Sequence, residues 1–219
     1  NKQMVEDIGS EDFVSAMNSP GNSQYMMYGY VKGRPLNALW GFKYGGVWHN
    51  QEEIERNKVT NTYVSATTSL SPGLPRYIDT NNDGSLDQKD LVYLGNADPT
   101  IYGGLQNTFN IGQLKVGVYF AYSLGGKIYN YSELYMAGTY SSNQYRYMAN
   151  SWHPVRNPDS DLPRAGAVQV HVPSDLQVHD ASYLRLKNVS VGYTFDLRKR
   201  VKWLRDITLS VSGENLYLW

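Results

Sequence analysis

The sequence contains no cysteine, so the chain can form neither a disulfide nor a thiolate metal site, and it offers no cysteine nucleophile. It also has no apolar run of about 20 residues, which excludes a transmembrane helix. An excess of either charge is missing too, because 20 Lys and Arg balance 20 Asp and Glu. Without an overall positive field, we do not expect nucleic acid as a partner.

What the sequence does contain is aromatic side chains and glycine. There are 19 Tyr, 5 Trp and 5 Phe beside 20 Gly, while only 18% of the residues are charged. Aromatic residues favour strands and glycine favours tight turns. The composition therefore predicts an all-β protein.

Four runs alternate apolar and polar residues with the period of two that is typical of a strand with two different faces. They cover residues 101–111, 114–122, 182–195 and 207–214. Only Gly112 and Gln113 separate the first two runs, which predicts a tight hairpin. The apolar positions of three runs define one predicted face: Val116, Val118, Phe120, Val189, Val191, Tyr193, Leu209 and Val211.

The connections between these runs alternate in length. A long one covers about 48–100, a two-residue turn follows the first run, a second long one covers about 125–181, and the last is short. In an antiparallel meander all long loops then lie on one side, as in outer-membrane barrels. We predict a segment of an antiparallel transmembrane β-barrel, residues 1–219, with two long extracellular loops. Short helices are predicted within these loops at 51–58 and 131–137.

Residues 79–90 match the calcium loop of the EF-hand, with the pattern D-x-N-x-D-G and a carboxylate at position 12. Gly84 allows the sharp turn at position 6, and Leu86 is expected to be a buried apolar anchor. The loop supplies the oxygen ligands that Ca²⁺ prefers. The predicted metal ligands are Asp79, Asn81, Asp83, the backbone carbonyl of Ser85, Asp87 and Asp90.

Two features distinguish this loop from a calcium sensor. Asp90 is one methylene shorter than the usual Glu, which predicts weaker calcium binding and some tolerance of magnesium. Pro72, Gly73 and Pro75 stand just before the loop and exclude an entering helix. A static structural ion is therefore favoured over a switch. The alternative is a chain of Asx turns without metal, because Asn, Asp and Gly also favour turns.

No catalytic constellation is present. The four histidines, at 49, 153, 171 and 179, have no metalloprotease spacing, and nucleophile-elbow and phosphate-loop motifs are missing. We therefore predict that the chain is not an enzyme. Aromatic residues of the second long loop could stack on sugar rings; the alternatives are ordinary packing within the loop or an interfacial belt. They are Tyr129, Tyr131, Tyr135, Tyr140, Tyr145, Tyr147 and Trp152.

Eight short motifs are spread over the chain from about residue 25. They are Gly33-Arg-Pro35-Leu36, Trp40-Gly-Phe42-Lys-Tyr44-Gly-Gly46-Val-Trp48, Pro72-Gly73, Leu94-Gly95-Asn96-Ala-Asp98-Pro99, Tyr102-Gly103-Gly104, Ser182-Tyr183-Leu184-Arg185-Leu186-Lys187-Asn188, Gly192-Tyr193-Thr194 and Ser212-Gly213-Glu214-Asn215-Leu216. Together they resemble the C-terminal half of SusC/RagA-type TonB-dependent transporters. The acidic loop, between the Pro-Gly and Leu-Gly-Asn motifs, is part of this resemblance.

The resemblance implies a location in the cell outer membrane, within a barrel of about 22 strands. It also implies a SusD-like lipoprotein lid, contact with membrane lipid, import of a glycan or peptide, and energy coupling to TonB through regions absent from this chain. We therefore expect the chain to be a fragment of such a transporter. The alternative is a secreted, calcium-stabilised β-sandwich that binds carbohydrate. The two differ in whether the apolar strand face meets lipid or a second sheet.

Overall fold

A computed structural model describes residues 3–9, 14–15, 29–57, 60–61, 70–136, 143–167, 172–198 and 203–219. Its strands, in chain order, are β1 Val14–Ser15, β2 Gly29–Tyr30, β3 Ala38–Gly41, β4 Tyr44–Val47, β5 Thr60–Asn61, β6 Pro75–Tyr77, β7 Ser85–Leu86, β8 Val92–Asn96, β9 Ile101–Ile111, β10 Leu114–Leu124, β11 Lys127–Tyr129, β12 Val178–Asp180, β13 Tyr183–Asp196 and β14 Asp206–Leu218. The helices are α1 Gln51–Arg56 and α2 Tyr131–Met136, with short 3-10 turns at Gln88–Asp90, Arg146–Asn150 and Asp175–Gln177. None of the described helices has the length and apolar character needed to cross a membrane.

The chain divides into two compact units. We call Asn1–Ala97 together with Lys127–His179 the loop unit, and Asp98–Gly126 together with Asp180–Trp219 the sheet unit. The loop unit contains most of the two predicted long connections. The sheet unit contains all four predicted long strands.

The sheet unit is an antiparallel meander in the order β9, β10, β13, β14. Its strands are 11, 11, 14 and 13 residues long. Gly112, at φ +60°, makes the turn between β9 and β10, where a left-handed conformation favours glycine. The predicted strands and the predicted hairpin are confirmed.

A β-bulge in β13 changes the phase of its alternation. Adjacent residues Phe120 and Tyr119 of β10 pair with Leu186 and Asn188, so Lys187 is the extra residue relative to β10. Because of this insertion, Leu186 lies on the same face as Val189 although the two are three residues apart. The break in the apolar pattern at 185–187 in the sequence is therefore a bulge within one continuous strand.

The loop unit contains short strand pairs that the sequence pattern did not predict. β3 pairs with β8, β4 with β6, and β1 with β2, all antiparallel, whereas β5 and β7 are parallel. Two clusters of buried side chains form its core. The first cluster is Trp48, Ile54, Leu74 and Ala167, and the second is Phe42, Tyr77, Leu86 and Val172.

Both predicted loop helices are present in the described residues. α1 begins after Asn50, whose side chain accepts a hydrogen bond from the Glu53 N–H at 2.8 Å. The Glu53 carboxylate in turn accepts from the His49 N–H at 2.9 Å and from the Arg76 guanidinium at 3.2 Å. α2 ends at Met136. The predicted last residues of the two helices, Lys58 and Ala137, lie outside the described residues.

Candidate functional site

The four strands of the sheet unit have one apolar and one polar face. Residues that pair directly across antiparallel strands point to the same face. One row across the sheet consists of Phe109, Val116, Val191 and Val211. The register places all eight residues predicted to share the apolar face on that face: Val116, Val118, Phe120, Val189, Val191, Tyr193, Leu209 and Val211.

The apolar face is exposed. The exposed fractions are 56% for Leu105, 52% for Phe109, 63% for Leu209 and 77% for Val211. Soluble proteins rarely expose a contiguous apolar patch of this kind. Strands of about 9–11 residues are long enough to cross a bilayer, and these strands meet that length. The face is therefore suited to contact with lipid hydrocarbon.

Aromatic rings stand near both ends of the apolar face. The Tyr193 and Phe195 ring centroids lie 4.7 Å apart near the end with the β9–β10 turn. The Tyr217 and Trp219 centroids lie 4.5 Å apart toward the opposite end of β14. Bands of aromatic residues at both interfaces are typical of transmembrane barrels.

The opposite face of the sheet is polar. The row next to Val116 consists of Thr108, Gly117, Ser190 and Ser212. Farther along, the hydroxyls of Thr194 and Thr208 form a hydrogen bond of 2.9 Å. A polar inner face beside an apolar outer face is the arrangement that a water-containing barrel requires.

The acidic loop folds as consecutive Asx turns. The Asp79 carboxylate accepts hydrogen bonds from the Asn82 N–H at 2.7 Å and the Gly84 N–H at 2.8 Å. The next two predicted ligands repeat the motif: Asn81 accepts from the Asp83 N–H, and Asp83 accepts from the Ser85 N–H, each at 2.9 Å. These bonds curl the chain around positions 1, 3 and 5.

Asp90 occupies a different environment from the other predicted ligands. Its side chain is fully buried. One carboxylate oxygen accepts from the Thr80 N–H at 2.8 Å, and the other accepts from the Asp87 N–H at 2.9 Å. Asp90 therefore joins the two ends of the loop, whereas the other five predicted ligands remain at least partly exposed.

The loop is anchored to the core of its unit through Leu86. This side chain is 3% exposed and belongs to the buried cluster with Phe42, Tyr77 and Val172. The prediction of a buried apolar anchor at position 8 is confirmed. Strand β6, not a helix, precedes the loop, as Pro72, Gly73 and Pro75 indicated.

The donor set fits calcium in part. Within the described part of the chain, no three His, Cys, Asp or Glu side chains form a group that could hold a metal ion. The predicted set, however, also uses the Asn81 amide and the Ser85 carbonyl. A carboxylate oxygen that accepts one N–H keeps a second lone pair, which is available to a cation. Both Asp90 oxygens, however, already bind backbone N–H groups inside the core. Positions 1, 3, 5, 7 and 9 fit a cation better than position 12.

The histidines and aromatic residues considered for zinc or sugar binding have different partners. His179 Nε2 lies 2.6 Å from a Glu133 carboxylate oxygen, whereas His49 lies 3.7 Å from Glu53. The Tyr145 and Tyr147 rings stack with centroids 5.6 Å apart. His171 and Tyr140 lie outside the described residues.

Sequence reasoning missed Glu133, which is buried and connects three segments of the loop unit. It accepts a short hydrogen bond from the Tyr147 hydroxyl and contacts His179. Burial and this hydrogen bond raise the pKa of Tyr147. No sequence signal could have joined residues 133, 147 and 179, because their contact depends on the tertiary fold.

Comparison with known proteins gives relatives but no matching family model. TonB-dependent receptor P26 of Formosa agariphila is 30% identical over 230 residues, covering 100% of this chain and 22% of the receptor. TonB-dependent receptor P3 of the same organism is 29% identical over 222 residues, covering 99% and 21%. The chain therefore spans about a fifth of the length of these relatives.

Solved structures agree with the strand topology. A chain of the RagAB peptide transporter matches with a TM-score of 0.68 at 17% identity, over 95% of this chain and 21% of that one. The RagAB peptide importer in its closed-closed state gives 0.66 at 17% identity, over 100% and 22%. At this identity the likeness concerns the fold, and it confirms the predicted segment of an antiparallel transmembrane β-barrel.

Proposed function

Because the chain is related over its whole length to one segment of the TonB-dependent receptors, we propose that it forms barrel wall and outer loops of an outer-membrane nutrient importer. The observation that carries this proposal is the exposed apolar face of the sheet unit, defined by residues such as Leu209 and Val211. In this position the apolar face contacts lipid and the polar face lines the interior. The two long connections, about 48–100 and 125–181, are then expected to be extracellular loops.

The competing function is carbohydrate binding by a secreted β-sandwich. A sandwich buries the inner face of each sheet under the other sheet. The exposure of Leu105, Phe109, Leu209 and Val211 weighs against that arrangement. The two functions predict different locations for the same protein.

Membrane fractionation of the native protein tests the proposal. We expect recovery in the outer-membrane fraction, retention after high-salt and alkaline washes, and release by detergent, because lipid contact is hydrophobic. A periplasmic protein from the same cells is the control for soluble contents. Recovery of the chain in the soluble fraction would contradict the transporter function and favour the secreted module.

The partners and the substrate of the whole protein belong to the same proposal. We expect a SusD-like lipoprotein at the outer mouth and energy transfer from TonB through segments outside this chain. The structures that match are named as a peptide transporter and a peptide importer, which supports a peptide substrate, with a glycan as the second candidate. Affinity purification of the full-length protein, followed by mass spectrometry, should recover the lipoprotein together with bound peptide or glycan.

The acidic loop is proposed to bind Ca²⁺ as a structural ion that stabilises an outer loop. Five donors in EF-hand register, Asp79, Asn81, Asp83, Ser85 and Asp87, support this role. Isothermal titration of the purified full-length protein should show calcium binding weaker than micromolar and a measurable response to magnesium. Asp83→Asn should weaken this binding, while the exposed Asp159→Asn should not. Submicromolar calcium binding without a magnesium response would contradict the expected weakness.

A further inference from the structure

Arg156 and Arg164 line one cavity of the loop unit, which has a volume of about 360 Å³. The cavity wall also includes Trp152, His153 and Pro72, and it contains no Asp or Glu. Among the residues that the structure describes, no carboxylate forms an ion pair with either arginine. The cavity therefore combines two arginines that form no ion pair with a described carboxylate.

The position of Arg164 is fixed by uncharged groups. Its backbone N–H donates to the Gly73 carbonyl at 2.9 Å, and its Nη2 donates to the Ser71 hydroxyl at 3.2 Å. A hydroxyl orients the guanidinium without neutralising it. The remaining guanidinium N–H groups are suited to a carboxylate or sulfate, which arginine can bind through two parallel hydrogen bonds.

His153 is held in one tautomer at the same wall. Its Nδ1 accepts hydrogen bonds from the Val155 N–H at 3.1 Å and the Arg156 N–H at 3.2 Å. An imidazole nitrogen that accepts cannot carry the proton, so the proton of the neutral ring is on Nε2. His153 therefore offers a further donor. These two bonds also fix the turn that carries Arg156.

Trp152 supplies an apolar wall. The residue is 8% exposed, and its indole N–H makes no hydrogen bond within the described residues. Its ring packs over Gly73, where an added Cβ would come within 2.4 Å of the ring. A ligand with an apolar or sugar body and an acidic group fits such a wall.

The nearby negative charges do not face this cavity. Asp159 and Arg156 both line a neighbouring shallow depression. The Asp161 carboxylate lies 3.9 Å from His49 Nε2, beside Gly46. Both carboxylates reduce the local positive potential, but neither lines the cavity between Arg156 and Arg164.

We propose that this cavity binds an oxyanion, a carboxylate or sulfate group, carried by the imported nutrient. The binding itself follows from the cavity, whereas its role in import rests on the proposed function. The two arginines recognise the charge, His153 adds a neutral donor, and Trp152 contacts the body of the ligand. Because both arginines are exposed, binding weakens as the salt concentration rises.

The test is titration of the purified full-length protein with sodium sulfate, followed by tryptophan fluorescence or calorimetry. We expect saturable binding that the double variant Arg156→Gln/Arg164→Gln weakens at least tenfold. Arg146→Gln removes another exposed arginine of the same unit and should leave binding unchanged. Circular dichroism and heat-dependent gel migration check that each variant is folded. Absence of saturable binding, or equal binding by the double variant, would overturn the proposal.

Competition identifies the source of the oxyanion. Acetyl-trialanine with a free carboxylate is compared with its amide, and galactose 6-sulfate with galactose. Displacement of sulfate by one charged member alone supports the site and names its source, whereas equal displacement by the neutral members overturns it. The proposed function is tested separately by fractionation. If the protein fractionates with the outer membrane but binds no sulfate, the proposed function stands and the proposed oxyanion site is wrong.

Discussion

The carboxylate of Asp90 accepts a hydrogen bond from the backbone N–H of Thr80 at 2.8 Å, across ten residues of chain. Its other oxygen accepts from the Asp87 N–H at 2.9 Å. One buried side chain therefore closes the acidic loop at both ends. Hydrogen bonds to a side chain of the protein therefore hold the loop in its conformation.

Removing this carboxylate should open the loop. In Asp90→Ala the N–H groups of Thr80 and Asp87 lose their acceptors in two part-buried hydrogen bonds, each of which contributes about 0.5–1.5 kcal/mol. We expect faster hydrogen exchange at these two amides. Asp159→Ala, which removes an exposed carboxylate of the same unit, is the control. Unchanged exchange in Asp90→Ala would show that the loop is held by other contacts.

Asp90→Glu tests whether position 12 of the loop acts as a metal ligand or as a structural support. In the EF-hand pattern Glu chelates better, so the pattern alone predicts tighter calcium binding. In the structure the site is fully buried, and an extra methylene in a packed site costs about 1–3 kcal/mol. We expect Asp90→Glu to lower thermal stability without tightening calcium binding. Calorimetry that shows a tenfold or greater gain in calcium affinity would contradict the structural support assigned to Asp90.

Two neighbouring residues of β13 test the assignment of the sheet faces. Val189 lies on the apolar face and Ser190 on the polar face. Arginine on the lipid face costs about 2–4 kcal/mol near the bilayer middle, whereas interior positions tolerate charge. We therefore expect Val189→Arg to reduce the yield of folded protein in the outer membrane, measured by heat-dependent gel migration.

Ser190→Arg is the matched control, since it introduces the same charge one residue away. Its yield should stay close to that of the unchanged protein. Equal loss in both variants would indicate a strand that is buried on both faces, and it would contradict the assignment of one lipid-facing and one interior face. Loss confined to Ser190→Arg would reverse the assignment of the faces.

The long strands could be predicted because their signal is local. Alternation along Ile101–Ile111 and Leu114–Leu124 defines two faces without knowledge of any distant residue. The bulge at Lys187 was not predicted, since one extra residue in a strand is visible only through its pairing with the neighbouring strand β10. The polar residues around it only marked an interruption in the apolar pattern.

The same distinction applies to the candidate sites. The motif placed Leu86 correctly because position 8 of the loop is defined by local spacing. The burial of Asp90 could not be read from the motif, which treats position 12 as an open ligand. The cavity at Arg156 and Arg164 brings Pro72 beside residues 151–165, and sequence periodicity holds no information about such a contact.

Tyr44 provides a test of stability at alkaline pH. Burial, followed by the neighbouring Tyr77 and Asp161, raises the pKa of Tyr44 well above its ordinary value. A raised pKa means that the folded state keeps the proton when the unfolded chain loses it at about pH 10. The stabilising contribution is therefore complete below about pH 10 and is lost as the pH rises above it.

Tyr44→Phe should remove this dependence. The hydroxyl of Tyr44 donates to the Asp161 carbonyl at 2.5 Å, so the variant loses about 1 kcal/mol at neutral pH. Thermal unfolding of both proteins between pH 8 and pH 11.5 measures the effect. We expect the stability difference between the two proteins to shrink above about pH 10. A difference that stays constant to the highest pH would contradict the raised pKa.

Alanine substitutions at Gly73 and Gly33 distinguish the cost of a steric clash from the cost of backbone strain. Both have positive φ, +83° and +77°, where an L side chain costs about 1–2 kcal/mol. An added Cβ meets nothing within 4 Å at Gly33, but at Gly73 it comes within 2.4 Å of the Trp152 ring and 2.8 Å of Arg164 Cδ. Gly33→Ala should therefore lose only the stability that the backbone strain costs. Gly73→Ala should lose more stability, and it should also displace the side chains of Trp152 and Arg164. Near-UV circular dichroism can detect the change at Trp152. Equal losses of stability in both variants, with unchanged near-UV spectra, would contradict the close packing of Trp152 on Gly73.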